Sequence, residues 1–315
     1  MNWNIFKMGN AILNYHKISP DNNSSKENDE LSVSESKFRQ QLIFLKKNYN
    51  LVSLNNLINF EKSNKFNICI TFDDGYKDNL TYALPILKEF NVPATIYFVT
   101  KFFENEFSIW WRELEDYIWQ NSGNIKFEYE KKKYDISIKD NSEKIRCYGK
   151  LVQIIKRLDK IEQEKFLSAL TKTDIRKEYK NEFLSKEDLK LLNSNPLITI
   201  GAHTHNHLSL KNLKKNDCIK EIKKSKEILE NLTGRKIDHF SYPYGTKGDA
   251  RKREFKIVEE LGFKSAVTTS VGKISKKNLF NLPRIHINEN TNERNLKLKL
   301  SIYYYFYKKI QQAIK

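Results

Sequence analysis

Two short polar runs, far apart in the sequence, carry the residue types that hydrolytic chemistry needs. Asp73 and Asp74 directly follow one apolar segment, and His203 and His207 stand four positions apart soon after another. One carboxylate with two imidazoles is a common ligand set for a catalytic divalent ion that keeps a coordination site open for water. A second carboxylate beside it can accept a proton from that water. These residues therefore predict a hydrolase.

The order of residues within each run limits their roles. Neighbouring side chains on a strand diverge, so one aspartate is expected to bind the metal and the other to face the water. Histidines at i and i+4 share a face of a helix, and they can also converge in a loop that leaves a strand. His205 lies between them and stays an alternative ligand in place of either neighbour. Because Asp-Asp-Gly alone is often only a turn, joint placement at strand ends is what supports a site.

Short apolar segments alternate with longer helical patterns around these runs. The strand candidates are 11–15, 51–53, 68–72, 94–99, 198–202, 237–242, 263–268 and 282–287, and the helix candidates are 36–47, 54–61, 79–90, 217–232 and 250–261. Repeated β-α units of this length favour a parallel sheet or a (β/α) barrel, and about eight strands favour the barrel. Barrel active sites lie at the carboxyl ends of the strands, where both polar runs and the run 242–244 are expected.

Residues 101–196 interrupt this alternation. They are mostly helical or polar in pattern, and Trp110 and Trp111 stand near their start. We expect a single barrel domain over residues 1–295, with 101–196 as a mostly helical insertion over the barrel mouth, followed by a basic aromatic tail over 296–315. The two tryptophans either stack on sugar rings or anchor the insertion to the core, and one of two neighbours usually faces inward.

Three motifs of the chain together resemble a known family. The runs Thr-Phe-Asp-Asp-Gly (71–75), His-Thr-His-Asn-His (203–207) and Tyr-Pro-Tyr-Gly (242–245) are similar to the first three motifs of the polysaccharide deacetylase (NodB-homology) family of carbohydrate esterases. The similarity covers most of the chain outside 101–196. It implies an α/β fold, a distorted (β/α) barrel of about seven to eight strands, and metal-dependent removal of an N-acetyl group from an amino sugar.

The resemblance also implies roles for individual residues. Asp73 is implied as the general base, and Asp74, His203 and His207 as ligands of a divalent ion, with Zn²⁺ as the expected ion. The tetrahedral oxyanion is expected to be held by the ion and by the backbone N–H of Tyr244.

The chain departs from the family pattern in the group that orients the base. The third motif usually opens with an arginine, whereas Phe240 and Ser241 precede the Tyr-Pro-Tyr run here. Arg284 is the candidate to supply that guanidinium from a neighbouring strand. The fourth motif of the family, which contains Asp and Trp, is not recognisable.

The general acid is the second departure, because no leucine-x-histidine motif stands plainly near the C-terminus. Instead the run Leu-Asn-Tyr-His ends at His16, similar to circularly permuted members in which the acid strand precedes the Asp-Asp motif. A protonated imidazole is needed to donate to the departing amine. We favour His16 because it ends a strand, whereas the competing candidate His286 sits within one. His239, inside a strand, is assigned a structural role.

Composition narrows the partners and the compartment. The net charge of +17 suggests acidic partners, but only ten of the 56 basic residues are arginine, which argues against nucleic acid. Three scattered cysteines indicate no disulfide framework and fit a reducing compartment.

The first residues lack an apolar run of signal-peptide length and no window approaches the ~20 apolar residues of a membrane span, so a cytoplasmic protein is expected. The basic aromatic tail either contacts an anionic membrane or packs on the core, and we favour packing.

The expected function is N-deacetylation of an amino sugar during assembly of a bacterial surface glycan, on a polysaccharide or a lipid-linked or nucleotide-linked precursor. Deformylation or hydrolysis of another small amide is the alternative of the same class. A carbohydrate-binding module with a degenerate site is the alternative of another class, disfavoured because a base, three ligands and a candidate acid are all present.

Overall fold

The computed structural model describes residues 9–21, 31–60, 63–104, 109–172, 179–301, 303–304 and 306–307. Its strands are, in chain order, β1 (Ala11–Tyr15), β2 (Lys17–Ser19), β3 (Ser32–Ser34), β4 (Asn50–Leu51), β5 (Asn67–Phe72), β6 (Ala94–Phe98), β7 (Asn124–Tyr129), β8 (Lys132–Ser137), β9 (Ile198–Ala202), β10 (His239–Ser241), β11 (Ser265–Val267) and β12 (Ile285–His286).

The helices lie between these strands. The α-helices are α1 (Glu35–Asn48), α2 (Leu54–Ile58), α3 (Leu84–Phe90), α4 (Trp110–Gln120), α5 (Asn141–Ile155), α6 (Lys160–Thr171), α7 (Lys186–Asn193), α8 (Lys215–Thr233), α9 (Lys252–Glu260) and α10 (Glu293–Lys299). A π-helix covers Asn79–Ala83, and 3₁₀ turns cover Thr100–Phe103, Lys180–Glu182, Leu210–Asn212 and Lys276–Asn281.

Among the described residues, seven parallel strands form a distorted (β/α) barrel, as the sequence predicts. They follow the order β11, β10, β9, β6, β5, β1, β12, and β4 pairs with the start of β5. The segment that carries β12 also meets β11, because Leu282 forms a parallel bridge to Val267. The ring of pairings is therefore closed through a single segment that contacts β11 first and β1 afterwards.

The strand ends are level at the mouth of the barrel. Tyr15 at the end of β1 pairs with Phe72 at the end of β5, and Phe98 at the end of β6 pairs with Ala202 at the end of β9. The residues that follow these strands therefore meet at one edge. This placement of the two polar runs confirms the expectation from the sequence.

The barrel has a small interior core and a larger outer one. Ile12, Cys69, Tyr97 and Val267 pack together inside it, so Cys69 is a buried core residue. The outward faces of the strands pack against the surrounding helices, and Leu189 and Leu192 of α7 belong to this outer core. Gly201 of β9 has no side chain because a Cβ there would lie 2.4 Å from the Tyr97 ring. The glycine therefore lets the tyrosine ring fill the barrel.

The insertion has a hydrophobic core of its own. Helices α4, α5 and α6 and the antiparallel hairpin β7–β8 bury a cluster of twelve described residues, from Trp110 to Leu170. The sequence predicts the helices here but not the hairpin. Its turn residues Glu130 and Lys131 both have left-handed φ angles, of 50° and 63°, without a glycine. The turn therefore lacks the Asn-Gly type of signal that marks most such hairpins.

The tail is described only in part. Tyr303, Phe306 and Tyr307 are more than half exposed, and the stretch 308–315, which holds the expected basic cluster, lies outside the described residues. Within the described part of the chain, every helix is too short or too polar to span a bilayer.

Candidate active site

The Asp-Asp run turns sharply as it leaves the barrel. The backbone N–H of Asp73 still donates to the Tyr15 carbonyl at 3.1 Å, which continues the pairing of β5 with β1. Asp74 and Gly75 then both adopt a φ of 73°. The left-handed pair directs the two buried carboxylates to different neighbours, as the divergence of adjacent side chains predicts.

Asp74 lies between two histidines. Its Oδ1 is 3.3 Å from Nε2 of His203 and 3.4 Å from Nε2 of His207. One ligand atom from each of these three buried residues falls within 4.8 Å of the others. The structure thus brings together the three residues that the sequence proposes as metal ligands.

The loop after β9 separates the histidines by role. Thr204 and His207 have φ angles of 65° and 56°, so the run is an irregular loop and not a helix. His203 donates from Nδ1 to the Ser241 carbonyl at 2.7 Å, which leaves Nε2 directed toward Asp74. His205 faces the other way, with Nδ1 3.0 Å from the Thr100 hydroxyl. Burial lowers the pKa of His205 to about 4. The alternative of His205 as a ligand is therefore wrong for this loop conformation.

The cluster fits a divalent ion. Asp74 Oδ1 is buried and has no hydrogen-bond partner among the described residues. Ligand atoms of a tetrahedral zinc site with bonds of about 2.1 Å lie roughly 3.4 Å apart, close to the two separations from Oδ1. Burial raises the pKa of Asp74, but the facing imidazoles of His203 and His207 outweigh burial and hold the pKa well below its usual range. An ionised carboxylate and two imidazole nitrogens aimed at one point are a suitable donor set for Zn²⁺.

Asp73 is held by Arg284 in a buried, two-pronged ion pair. The guanidinium donates to Oδ1 at 2.8 Å and to Oδ2 at 2.6 Å. Its remaining N–H groups donate to the Thr268 carbonyl, to the Asn14 and Thr71 side chains, and to the Ser241 hydroxyl. Burial raises the pKa of Asp73, but Arg284 and His203 outweigh it, so the net pKa lies below its ordinary value. The carboxylate is therefore ionised at neutral pH.

The two candidate acids lie side by side. The ring centroids of His16 and His286 are 5.9 Å apart in an edge-to-face arrangement. β12 ends at His286, so both histidines stand at strand ends and the distinction drawn from the sequence does not hold. His16 is close enough to Asp73 and Asp74 for their charges to act on it. Burial lowers its pKa and the two carboxylates raise it, with a net decrease.

Tyr244 lies at the site in a tight turn after β10. Tyr244 and Gly245 have left-handed φ angles of 61° and 63°, and a Cβ on Gly245 would lie 2.6 Å from a backbone nitrogen of Thr269. The Tyr244 ring is 4.9 Å from the His207 ring. The role of its backbone N–H stays a prediction.

A family model for polysaccharide deacetylases matches residues 61–266, which is more than half of the chain. The chain belongs to the polysaccharide deacetylase family. The match begins before the Asp-Asp run and extends beyond β10, so it includes all three motifs that the sequence carries.

Three relatives show how far this likeness extends. A poly-β-1,6-N-acetyl-D-glucosamine N-deacetylase of Staphylococcus aureus (strain MSSA476) is 33% identical over 109 residues, which cover 30% of this chain and 38% of that protein. The matched segment thus spans well under half of that relative's length. The structure of the Streptococcus pyogenes deacetylase PplD in complex with acetate superposes with a TM-score of 0.58 at 21% identity, covering 93% of this chain and 99% of the other. IcaB from Ammonifex degensii superposes with a TM-score of 0.61 at 15% identity, covering 93% and 97%. Both structures share the fold.

The departure from the family's third motif has a structural explanation. Ser241 has its hydroxyl 3.0 Å from the Arg284 guanidinium, where it accepts a hydrogen bond. The small side chain on β10 leaves space for an arginine that arrives from the segment before β12. In this polysaccharide deacetylase Asp73 is therefore paired with an arginine from the segment before β12 and not with one from the motif itself.

Two residues that contact this site, Asn14 and Trp111, were not assigned to it from the sequence. Asn14, on the otherwise apolar strand β1, is buried against the guanidinium, and an isolated polar residue in an apolar strand is the signal that could have found it. Trp111 of α4 packs its ring 4.8 Å from the ring of His207. Its neighbour Trp110 is buried in the insertion core, so one tryptophan of the pair faces inward and the other reaches the site.

Proposed function

We propose that this polysaccharide deacetylase is a metal-dependent hydrolase that removes the N-acetyl group from an amino sugar during assembly of a bacterial surface glycan. The observation that carries the proposal is the Asp73–Arg284 pair beside the Asp74–His203–His207 cluster at the barrel mouth. The S. aureus relative is an N-deacetylase of poly-β-1,6-N-acetyl-D-glucosamine, which supports an amino-sugar substrate.

Asp74, His203 and His207 would hold the ion, with Zn²⁺ as the expected metal. When bound there, a divalent ion would supply Lewis-acid polarisation of the acetyl carbonyl and acidify the attacking water. Asp73 accepts the proton of that water. Arg284 keeps the base ionised and fixes both of its oxygens, so the carboxylate cannot rotate away from the water.

The remaining steps need a hydrogen-bond donor and an acid. The backbone N–H of Tyr244 donates to the carbonyl oxygen as negative charge develops on it. His16, in its protonated form, donates to the amine nitrogen as the C–N bond breaks and acetate leaves. His286 stands next to His16 and is the alternative acid.

Two matched variants test the division between base and ligands. Asp73→Asn is expected to retain the ion and to lose acetate release by about 10²–10⁴-fold, as typical for loss of a general base. His203→Ala is expected to lose the ion. Metal content of the purified variants and acetate release from N-acetylglucosamine oligomers are the measurements. An active Asp73→Asn variant would refute the base assignment, and stoichiometric metal in His203→Ala would refute the ligand assignment.

The substrate panel separates this proposal from its alternatives. It should pair acetylated with formylated amino sugars, on free oligomers, nucleotide sugars and lipid-linked sugars. Formate release in preference to acetate would make the protein a deformylase. Glycan binding without metal and without release of either acid would make it a binding module.

The two candidate acids are separated by their pH profiles. We expect His16→Ala to remove the alkaline limb of the activity profile and His286→Ala to leave that limb in place. The reverse result would assign the acid to His286.

In place of the packing on the core that the sequence favours, we also propose that the tail contacts an anionic membrane surface peripherally, and that the protein is cytoplasmic. Exposed aromatic side chains at Tyr303, Phe306 and Tyr307 support the contact. Co-sedimentation with phosphatidylglycerol vesicles, compared with phosphatidylcholine vesicles, tests it, with Phe306→Ser as the variant. Equal recovery with both vesicle types would exclude an electrostatic contact, and cell fractionation tests the compartment.

A further inference from the structure

The two histidines of the cluster are oriented by different means. His203 is anchored through its second nitrogen, which donates to the Ser241 carbonyl at 2.7 Å. His207 has its Nδ1 buried with no hydrogen-bond partner among the described residues. The hydrogen bonds that hold His207 are made by its backbone: the N–H donates to the Thr204 hydroxyl at 3.0 Å, and the carbonyl accepts from the Tyr244 hydroxyl at 3.4 Å. Because the terminal torsion of a histidine is broad, an imidazole without such an anchor needs packing to hold its direction.

Aromatic rings supply that packing. The His207 ring lies 4.8 Å from Trp111, 4.9 Å from Tyr244 and 5.0 Å from His203, with interplanar angles between 51° and 65°. Trp111 is supported from behind by Trp110, whose ring stands edge-to-face at 5.6 Å, and by Phe102 at 6.1 Å. Neither Trp111 nor its two supports lies on a barrel strand.

We propose that Trp111 is a positioning residue of the metal centre: the insertion delivers its indole against His207, and this contact keeps Nε2 of the imidazole directed at Asp74. The inference rests on the proposed function, since it assumes that His207 is a ligand. It gives the insertion a role in assembling the site as well as in covering it. Tyr244 completes the enclosure from the barrel side, and its ring also packs against the insertion core.

The test is metal affinity rather than activity. Zn²⁺ affinity is measured by competition with a chromophoric chelator, and the absorption spectrum of the Co²⁺-loaded protein reports ligand geometry. Trp111→Leu removes the ring, and we expect about tenfold weaker binding, at the lower end of the loss seen when a group that orients a ligand is removed. Trp111→Phe keeps an aromatic face, and we expect it to restore most of the affinity and the spectrum.

Trp119→Leu is the matched control. Trp119 lies on the same helix α4, but its ring contacts Tyr148 at 6.3 Å inside the insertion. We expect wild-type metal affinity for this variant. Equal weakening in Trp111→Leu and Trp119→Leu would overturn the inference, because general loosening of the insertion would then explain both.

Two further outcomes separate this inference from the proposed function. Wild-type affinity and Co²⁺ spectrum in Trp111→Leu, together with a raised KM for the glycan, would overturn it and make Trp111 a sugar platform. Absence of divalent ion binding by the wild-type protein would instead refute the proposed metal centre, and the inference would fall with it.

Discussion

The barrel holds its site residues with hydrogen bonds and charge, whereas the insertion reaches the same site with aromatic rings. On the barrel side, Arg284 and Asp73 form a buried ion pair, and His203 donates a hydrogen bond to a backbone carbonyl. On the insertion side, Trp111 makes a ring contact to His207. Directional bonds fix an atom's position closely and are costly to break, while ring packing tolerates substitution by another ring.

This difference suggests that the two regions tolerate substitution to different degrees. In the barrel, removal of one partner of a buried ion pair would cost the most unfolding free energy. We therefore expect substitutions of the barrel residues at the site to be poorly tolerated. The insertion has a separate apolar core and meets the site through a few contacts. We therefore expect substitutions of its residues at the site to cost less unfolding free energy. Three predictions test this contrast, from the largest expected effect to the smallest.

The largest effect is expected for Arg284→Gln. Removal of the guanidinium leaves the Asp73 carboxylate buried without its partner. Such a loss typically costs about 3–5 kcal/mol of unfolding free energy, and we expect about 4 kcal/mol. Acetate release should fall by at least about 10²-fold because the proposed base loses the guanidinium that fixes its two oxygens and lowers its pKa. Denaturant unfolding and the release assay measure both effects.

Arg112→Gln is the control for the insertion side. Arg112 pairs with Glu115 and Glu182 and keeps 15% of its side chain exposed. We expect a smaller loss, of about 2 kcal/mol, because Glu115 and Glu182 keep 19% and 34% of their side chains exposed and stay in contact with solvent when the guanidinium is removed. Equal losses for the two arginine variants would contradict the contrast between the two regions.

Acid should weaken the barrel through its buried histidine His239. All six histidines lie outside residues 101–196. Burial lowers the pKa of His239 to about 4, so the unfolded chain, with an ordinary histidine pKa near ~6.5, takes up the proton first as the pH falls. This contribution to stability is present above pH ~6.5 and is lost progressively toward pH ~4, by at most about 3 kcal/mol.

His239→Gln isolates this effect. His239 joins the Ser265 hydroxyl and the Asn55 side chain at the opposite end of β10 from the site, in agreement with its predicted structural role. The variant should be less stable than the wild type at pH 7.5, and the difference should shrink at pH 5. The measurement is denaturant unfolding at the two pH values. A constant difference would show that protonation of His239 does not contribute to acid sensitivity.

The smallest effect is expected at the connection between the two regions. Lys156 at the end of α5 lies 3.6 Å from Asp249 of the barrel, with 13% and 2% of the side chains exposed. Asp249 keeps hydrogen bonds from Thr246 and Ser209 when the lysine is removed. Lys156→Met should therefore cost only about 1 kcal/mol of unfolding free energy.

Lys160→Met is the matched control for this connection. Lys160 pairs with Glu164 within α6, on the exposed surface of the insertion, and we expect a change below about 0.5 kcal/mol. Denaturant unfolding compares the two variants. A loss above about 3 kcal/mol for Lys156→Met would show that the two regions depend on this single pair.

Much of the fold was predictable because its strands are short apolar runs followed by polar residues. β1 and β9 have the predicted bounds, and α8 extends the predicted helix 217–232 by only a few residues. The hairpin β7–β8 was missed although Ile125 and Phe127 alternate with charged residues, since its turn lacks glycine. The predicted helix 79–90 begins as a π-helix instead, because Pro85 has no N–H to donate to the turn before it.

The site was predictable in its residue types and only partly in its partners. The sequence by itself determined that carboxylates and imidazoles follow the apolar runs at strand ends, because strand periodicity and polarity are local properties. Only the tertiary structure decided that His203 and His207 face Asp74 while His205 turns away, since this depends on left-handed φ angles in one loop. Closure of the barrel alone brings Arg284 to Asp73, and folding of the insertion alone brings Trp111 to His207. Contacts between residues so distant in the chain depend on the packing of the whole molecule.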